Sequence, residues 1–354
     1  MILSGIPVSS ISAILWLGTL WLATIDTSQT AGTELHSPSR SVLQSSSRVN
    51  AKSKTCHREG DQIWLISCRG LPCPDRSGSN SAHDLVAGLK YWRYNRQESS
   101  WDKSTRQNLL DGDFRKLRNV VWVHGDHMGA CEAFETGRQI YQELVRSVEN
   151  PEPIRFIIWS WPSAKTLTRP VQDARLKAAR IPAAAVRLAG LLETIPANSR
   201  VSLIGFSFGV RVISATLQLL AGGDLDDYKL HKALANEREK YRVAFFASAI
   251  DSGSLQPGRR FGKAIGEMKS LLLLNNYCDW VLKRYGKLYC RCARRGPQAL
   301  GYTGLATNGG LSADRDRIEQ YNASAFVGRH HAWRPYVYTP QLMSLIREET
   351  LGEK

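Results

Sequence analysis

The feature that most constrains this chain is the pentapeptide Gly-Phe-Ser-Phe-Gly at residues 205–209, which directly follows an apolar run. Residues 201–204 predict a buried strand, and residues 210–220 predict a helix that ends at a Gly-Gly pair. A glycine on each side of the serine lets the chain turn sharply between strand and helix. The pattern therefore predicts a strand–turn–helix unit that exposes the Ser207 hydroxyl above the edge of a sheet.

Predicted strands and helices alternate along the rest of the chain. The predicted strands are residues 62–68, 89–94, 119–123, 154–160, 201–204, 242–248, 271–276 and, more weakly, 318–321. The predicted helices are residues 130–148, 173–194, 210–220 and 340–349. This alternation predicts an α/β fold with a mostly parallel sheet, and nearly continuous apolar strands are typical of a sheet covered by helices on both faces. We assign the sheet to one domain, residues 57–354.

The amino-terminal residues form a separate region. Residues 11–25 are uncharged and rich in Leu, Ile and Trp, and no Lys or Arg precedes Arg40. Such a stretch is typical of a secretory signal or a short anchor, although the basic residues that usually precede one are missing. We expect a signal peptide or signal anchor in residues 1–26 and a flexible linker in residues 27–56. These features predict an exported or membrane-anchored protein, with a cytoplasmic location as the alternative.

Composition and charge limit the classes of partner. The 354 residues are 43% hydrophobic and 22% charged, which fits a globular protein with a sizeable core. The formal net charge is +15, but Lys and Arg are scattered except for a dense group between residues 283 and 295. No zinc-finger or RNA-binding pattern accompanies them. We therefore interpret the charge as the basic surface of an enzyme and predict no nucleic-acid partner.

The seven cysteines do not predict a metal site. They are Cys56, Cys68, Cys73, Cys131, Cys278, Cys290 and Cys292. The last two are separated by one residue, which is too close for the usual zinc half-site. An odd total leaves at least one cysteine outside any disulfide within the chain.

Ser207 needs a neighbouring base, because a serine hydroxyl is a poor nucleophile at neutral pH. His330 and His331 are the only histidines after His231. We expect His331 to be the base and keep His330 as the alternative.

A carboxylate is needed to orient that histidine. Asp279 comes just after the predicted strand 271–276, at the sheet edge where sites of such folds form. Asp251 follows the preceding predicted strand and is the alternative acid. Either carboxylate lies between Ser207 and the histidines in the chain, which is the order expected after a serine on a strand-to-helix turn.

Backbone N–H groups are needed to hold the negative charge that develops during acyl transfer. We expect one from Phe208, directly after the serine, and one from Asp126, in the loop after the predicted strand 119–123. That loop also holds His124 and His127, but no further ligand pattern joins them. The sequence therefore predicts no metal and no other cofactor.

Four segments together resemble the α/β-hydrolase superfamily: Val-His-Gly at 123–125, Ile-Trp-Ser-Trp-Pro-Ser at 158–163, residues 203–209 and residues 275–279. The chain is most similar to a largely uncharacterised bacterial branch with a strand close to Phe-Ser-Trp-Pro-Ser before the serine turn. The resemblance covers residues 119–340 and implies a sheet of about eight strands and a Ser-Asp-His triad. Phe206 stands where that branch often has histidine. Arg329 separates Gly328 from the two histidines, where the branch commonly has its histidine next to the glycine.

These patterns predict a serine hydrolase that cleaves a carboxylic ester, of the esterase or lipase-like kind, through an acyl-enzyme. The expected substrate is a small-molecule or lipid ester, and membrane association would come from the apolar amino-terminal segment. The short segment between residues 248 and 271 leaves no material for a large cap domain. Alternatives are an acyltransferase or amidase with the same triad, or an inactive hydrolase fold that acts as a membrane-associated binding protein.

Overall fold

The computed structural model describes residues 58–76, 81–111, 116–146, 148, 152–230, 239–286 and 296–352. The expected leader and linker lie outside these residues, as do Cys56, His231, Cys290 and Cys292 and most of the basic group before residue 296. Of the helices within the described ranges, none has the length and apolar character needed to cross a membrane.

Among the described residues nine strands form one sheet. They are β1 Gln62–Ser67, β2 Lys90–Asn95, β3 Ser100–Ser104, β4 Arg118–Val123, β5 Ile154–Ser160, β6 Val201–Phe206, β7 Tyr241–Phe246, β8 Met268–Asn275 and β9 Ile318–Asn322. The strand order is β3-β2-β1-β5-β4-β6-β7-β8-β9. β2 runs antiparallel to β1 and β3, and all other neighbouring strands are parallel. The predicted fold class, α/β with a mostly parallel sheet, is confirmed, with nine strands where about eight were expected.

The helices cover the sheet in two groups. The described helices are α1 Ala82–Val86, α2 Arg106–Leu110, α3 Ala130–Val145, α4 Pro170–Glu193, α5 Phe208–Leu220, α6 Leu300–Thr303, α7 Ser324–Val327, α8 Trp333–Tyr338 and α9 Pro340–Leu351. Helices α1, α4 and α5 pack together, and α3, α8 and α9 form the second group. Between β7 and β8 the chain makes only turns and the 3-10 helix Ala264–Glu267. No large cap is inserted there, as predicted.

The central strands are apolar because both of their faces are covered. Every residue of β4, β5, β6 and β7 is buried. The edge strand β3, Ser-Trp-Asp-Lys-Ser, has no buried residue. A short polar strand at a sheet edge carries little of the periodic apolar pattern that predicts strands, so β3 was missed from the sequence.

Parallel strands bring their carboxyl ends to one edge of the sheet. The loops that follow β4, β6, β7 and β8 therefore meet at this edge. They carry Asp126, Ser207, Asp251 and Asp279, respectively, and the chain returns to the same edge after β9 with His331. The residues proposed from the sequence thus lie on loops at one edge or, for Phe208, at the start of the helix that follows, where ligands bind in open α/β sheets.

Candidate active site

The Ser207 turn is tight because two glycines allow close approach of the backbone. Ser207 itself has φ 53° and ψ −118°, in a region that side chains rarely adopt. Neither Gly205 nor Gly209 has a positive φ. A Cβ at Gly209 would lie 2.0 Å from the carbonyl oxygen of Val123, and one at Gly205 would lie 3.1 Å from the backbone nitrogen of Val210. The glycines permit the sharp turn by leaving room for the neighbouring backbone, and the serine carries the strain.

Ser207, His331 and Asp279 form one hydrogen-bonded chain. Ser207 Oγ lies 2.9 Å from His331 Nε2, and His331 Nδ1 lies 2.8 Å from Asp279 Oδ2. With Nδ1–H donating to the carboxylate, Nε2 is left to accept the hydroxyl proton of the serine. Asp279 is fully buried, and its Oδ1 accepts the backbone N–H groups of Val281 and Leu282, both at 2.9 Å. Both carboxylate oxygens are therefore fixed, and the imidazole is oriented by a rigid partner.

The two alternative residues lie elsewhere. His330 is exposed, and it is His331 that contacts the serine. Asp251 is partly buried, and its Oδ1 accepts the N–H of Gly253 at 2.8 Å. Asp251 also lines a second cavity of about 820 Å³, together with Arg211. The structure thus joins His331 and Asp279 to Ser207 and leaves His330 and Asp251 outside the hydrogen-bonded chain.

The two residues proposed as amide donors lie beside the serine. Phe208 and Asp126 line the same cavity, of about 690 Å³, as Ser207 and His331. A Cβ at Gly125 would lie only 3.0 Å from the Cβ of Ser207, so the loop after β4 packs directly on the serine turn. Phe208 is the first residue of α5, where the amino end of the helix favours a negative charge.

The loop after β4 is held at both ends by residues that follow β1 and β5. The indole Nε1–H of Trp161 donates to the carbonyl oxygen of His124 at 2.8 Å. Ser163 Oγ donates to the carbonyl of Met128 at 3.1 Å, and Arg69 donates to the same carbonyl at 2.8 Å. Burial, together with the Arg69 guanidinium, lowers the pKa of His124 to about 3, so this ring stays neutral. The Trp-Pro-Ser segment therefore braces the loop that carries Asp126.

A buried ion pair on α4 holds the middle of the same loop. Lys177 and Asp173 are fully buried and contact each other, and Lys177 Nζ also lies 3.6 Å from Asp126 Oδ1. His127 Nε2 lies 3.0 Å from Asp173 Oδ2, and His127 has a positive φ of 57°. Burial opposes ionisation of Asp173, but hydrogen bonds from Lys177 and two backbone amides lower its pKa below the usual range. This network fixes the strained loop conformation next to Ser207.

The same network is the one place in the described ranges where metal-ligand side chains converge. The ligand atoms of Asp126, His127 and Asp173 lie within 4.8 Å of one another. The Lys177 ammonium contacts Asp173 and lies near Asp126, so it already supplies positive charge to these carboxylates. We therefore interpret the group as an ion-pair network.

These bracing residues were not identified from the sequence, although α4 carries a signal. Asp173 and Lys177 are four residues apart and are followed at helical spacing by Ile181, Ala184 and Leu188, all buried. Two charged residues at the start of an otherwise apolar stripe predict a buried ion pair. Trp161 and Ser163 belong to the Trp-Pro-Ser segment noted in the sequence, but nothing in that segment or around Arg69 predicts their hydrogen-bond partners, which come from distant parts of the chain.

The exposed wall area of the 690 Å³ cavity is largely apolar. Its apolar lining residues are Met128, Pro170, Ala174, Phe206, Phe208, Ala249, Val281, Leu282, Ala332 and Trp333. Its polar and charged lining residues are Asp126, His127, Glu132, Glu135, Thr136, Gln139, Ser207, Tyr285, His331 and Arg334. The volume is in the range of small-molecule sites, and mainly apolar walls with polar groups among them suit the acyl part of an ester.

Comparisons with known proteins give only a distant structural likeness. No family model matches the chain, and no curated protein does. Acyl-protein thioesterase 2 from Zea mays is 15% identical with a TM-score of 0.33, over 66% of this chain and 92% of that one. A putative dienelactone hydrolase from Klebsiella pneumoniae is 12% identical with a TM-score of 0.33, over 72% and 92%. An acetyl xylan esterase is 11% identical with a TM-score of 0.31, over 66% and 99%. Likeness at this level carries no argument about activity.

Proposed function

We propose that this protein is a serine hydrolase that cleaves a carboxylic ester through an acyl-enzyme. The observation that carries the proposal is the unbroken hydrogen-bonded chain from Ser207 through His331 to the buried Asp279. A strained serine at the amino end of a helix, in contact with an oriented imidazole, is the arrangement that acyl transfer requires. The Trp-Pro-Ser segment supports our further inference that the chain belongs to the bacterial branch of α/β-hydrolases that it resembles.

In the first half of the reaction Ser207 becomes acylated. Ser207 Oγ attacks the acyl carbon while its proton moves to His331 Nε2. Asp279 stabilises the imidazolium through Nδ1–H, and the backbone N–H groups of Phe208 and Asp126 donate to the oxyanion. The tetrahedral intermediate collapses, the bond to the leaving oxygen breaks, and His331 gives its proton to the departing alcohol.

In the second half water replaces the alcohol. His331 takes a proton from the water, whose oxygen attacks the carbonyl carbon of the acyl group on Ser207 Oγ. The second tetrahedral intermediate then collapses, and the bond from this carbon to Ser207 Oγ breaks to release the acid. The proton returns to Ser207 Oγ, so the site regains its starting state. These steps need no group beyond the side chains and backbone amides already described. An acyltransferase or amidase would use the same residues with a different acceptor or leaving group.

Hydrolysis of p-nitrophenyl acetate, butyrate and laurate by the full chain tests the proposal. We expect Ser207→Ala and His331→Ala to lower kcat/KM by at least about 10³-fold, because each removes a member of the hydrogen-bonded chain. The exposed neighbour His330→Ala is the matched control and should stay within about threefold of wild type. Full activity in Ser207→Ala would overturn the mechanism. The preferred chain length separates an esterase from a lipase-like enzyme.

A further inference from the structure

Exposed apolar side chains are concentrated around the mouth of the catalytic cavity. Seven large apolar residues are exposed in the described part of the chain. Five of them lie on or near residues that line the cavity, and we call these five the rim: Leu167, Val171, Trp280, Val281 and Tyr338. The other two, Tyr277 and Phe326, lie on the segments that precede Asp279 and His331. Scattered exposed apolar residues are ordinary, but a cluster at a site mouth marks a binding surface.

The rim residues lie near residues that line the cavity. Val281 lines the cavity, and Trp280 precedes it. Val171 directly follows the lining residue Pro170, and Leu167 lies three residues before it. Tyr338 lies beside the lining residue Trp333, with ring centroids 5.8 Å apart. The rim therefore lies on three segments that each contribute residues to the lining of the cavity.

These three segments are also strongly basic. Residues 163–171, 280–286 and 326–339 contain no Asp or Glu. Their exposed cations are Lys165, Arg169, Lys283, Arg284, Arg329 and Arg334. The guanidinium groups of Arg284 and Arg329 lie 3.4 and 4.8 Å from the ring centroid of Trp280, so positive charge lies directly on the rim.

Carboxylates occur on the α3 side of the cavity, where each has a local partner. Glu135 pairs with Arg138 at 3.0 Å, and Glu132 accepts the backbone N–H of Gly129 at 2.6 Å. Asp126, on the loop after β4, also lines the cavity and lies 3.6 Å from Lys177 Nζ. The acidic lining residues thus lie on α3 and on the loop after β4, while the rim combines apolar and basic side chains.

We propose that the rim binds an anionic lipid surface and that the cavity draws its ester from a lipid in that surface. Tryptophan at a membrane interface buries its ring among acyl chains while its polar edge stays at the headgroups. Basic side chains near such a surface are attracted by anionic headgroups. An acidic polymer would engage the arginines but would gain nothing from Leu167, Val171 and Val281. The lipid-ester part of this inference rests on the proposed hydrolase function, whereas the docking part does not.

Vesicle binding by the full chain in a Ser207→Ala background tests docking without turnover. The probes are vesicles of phosphatidylcholine alone and of phosphatidylcholine with one-third phosphatidylglycerol. We compare Trp280→Ala and the pair Arg284→Gln/Arg329→Gln with the charge-matched control Lys90→Gln/Lys103→Gln, on exposed positions of β2 and β3. All variants carry the same amino-terminal residues, so any contribution of those residues to binding is common to them. Circular dichroism and melting temperature check that each variant is folded.

We expect binding to the anionic vesicles and weak binding to phosphatidylcholine. Removing the two arginines should weaken binding about thirtyfold, and Trp280→Ala about tenfold, while the lysine control stays within about threefold. Rim variants that bind like the control would overturn the proposal. If heparin displaces the protein from the anionic vesicles and Trp280→Ala binds them as tightly as the parent, the proposal would also be overturned. The surface would then recognise soluble polyanions. If the protein with Ser207 intact binds the vesicles but hydrolyses no ester in them, the docking surface stands and the lipid-ester substrate is wrong.

Discussion

Asp279 and Asp251 follow adjacent parallel strands at the same sheet edge, but they have different partners. Asp279 is fully buried and contacts His331, whereas Asp251 is partly buried and caps its own turn at Gly253. The loop of Asp279 is tied to the histidine loop, because Trp280 N–H donates to the Arg329 carbonyl at 3.2 Å. Position at a strand end brings a carboxylate to the site edge, and contacts between loops decide which one meets the histidine.

The cavities next to the two carboxylates also differ in polarity. The cavity beside Ser207 is mostly apolar, whereas the 820 Å³ cavity at Asp251 is lined by Arg211, Arg259 and Arg260. A carboxylate among arginines balances charge, while one buried against an imidazole orients a proton acceptor. The comparison therefore predicts that the two aspartates are not interchangeable.

The largest effect should come from replacing these two carboxylates. We expect Asp279→Asn to lower kcat/KM by about 10³ to 10⁴-fold, because the amide favours the wrong tautomer of His331. Asp251→Asn is the matched control and should stay within about threefold. The measurement is ester hydrolysis across a range of substrate concentrations. A comparable loss in both variants would break the comparison.

A second test extends the comparison to Asp173, another buried carboxylate, which is held by Lys177. Asp173→Asn removes the carboxylate in direct contact with the buried Lys177 ammonium and leaves only Asp126, at 3.6 Å. We expect it to lower the free energy of unfolding by about 3 to 5 kcal/mol. The exposed pair between Lys229 and Asp224, at 3.2 Å, provides the control. Asp224→Asn should change stability by less than about 1 kcal/mol in denaturant unfolding. Equal losses of unfolding free energy in the two variants would show that the buried ion pair stabilises the fold no more than the exposed one.

A third test uses the neutral buried His124. Its pKa of about 3 lies below that of the unfolded chain, near 6.5, so stability is lost as pH falls through this window. Between pH 7 and pH 5 the protonation of His124 in the unfolded chain should lower the free energy of unfolding by about 2 kcal/mol. We expect His124→Gln to lose that much less stability than wild type over this pH change, measured by urea unfolding. His83→Gln, at an exposed position, should follow the wild type.

The smallest expected effect concerns one hydrogen bond to the loop of Asp126. Trp161→Phe removes the indole donor to the His124 carbonyl, and we expect kcat to fall about tenfold with little change in KM. Trp159→Phe is a close control, because the Trp159 indole nitrogen is buried with no hydrogen-bond partner within the described residues. Equal effects of the two changes on kcat would argue against a positioning role for the Trp161 donor.

The positions of most strands along the chain could be predicted because burial on both faces of the sheet leaves long apolar runs, as in β5 and β8. Ser207, Asp279 and His331, which the structure joins by hydrogen bonds, could be proposed from the sequence because each follows such a strand or lies in the last histidine-bearing loop. The polar braces were missed for a physical reason. Arg69, Trp161 and Ser163 act on backbone carbonyls of a distant loop, and no residue-type pattern in the sequence records which carbonyl a donor will meet.

Covalent labelling by a fluorophosphonate tests the central claim most directly. We predict a single adduct on the peptide that contains Ser207, seen by mass spectrometry of the full chain. It should be absent in Ser207→Ala and form at least about 10³-fold more slowly in His331→Ala, whereas His330→Ala should label at nearly the wild-type rate. A folded wild-type protein that forms no adduct, or forms one at another residue, would contradict the activated serine.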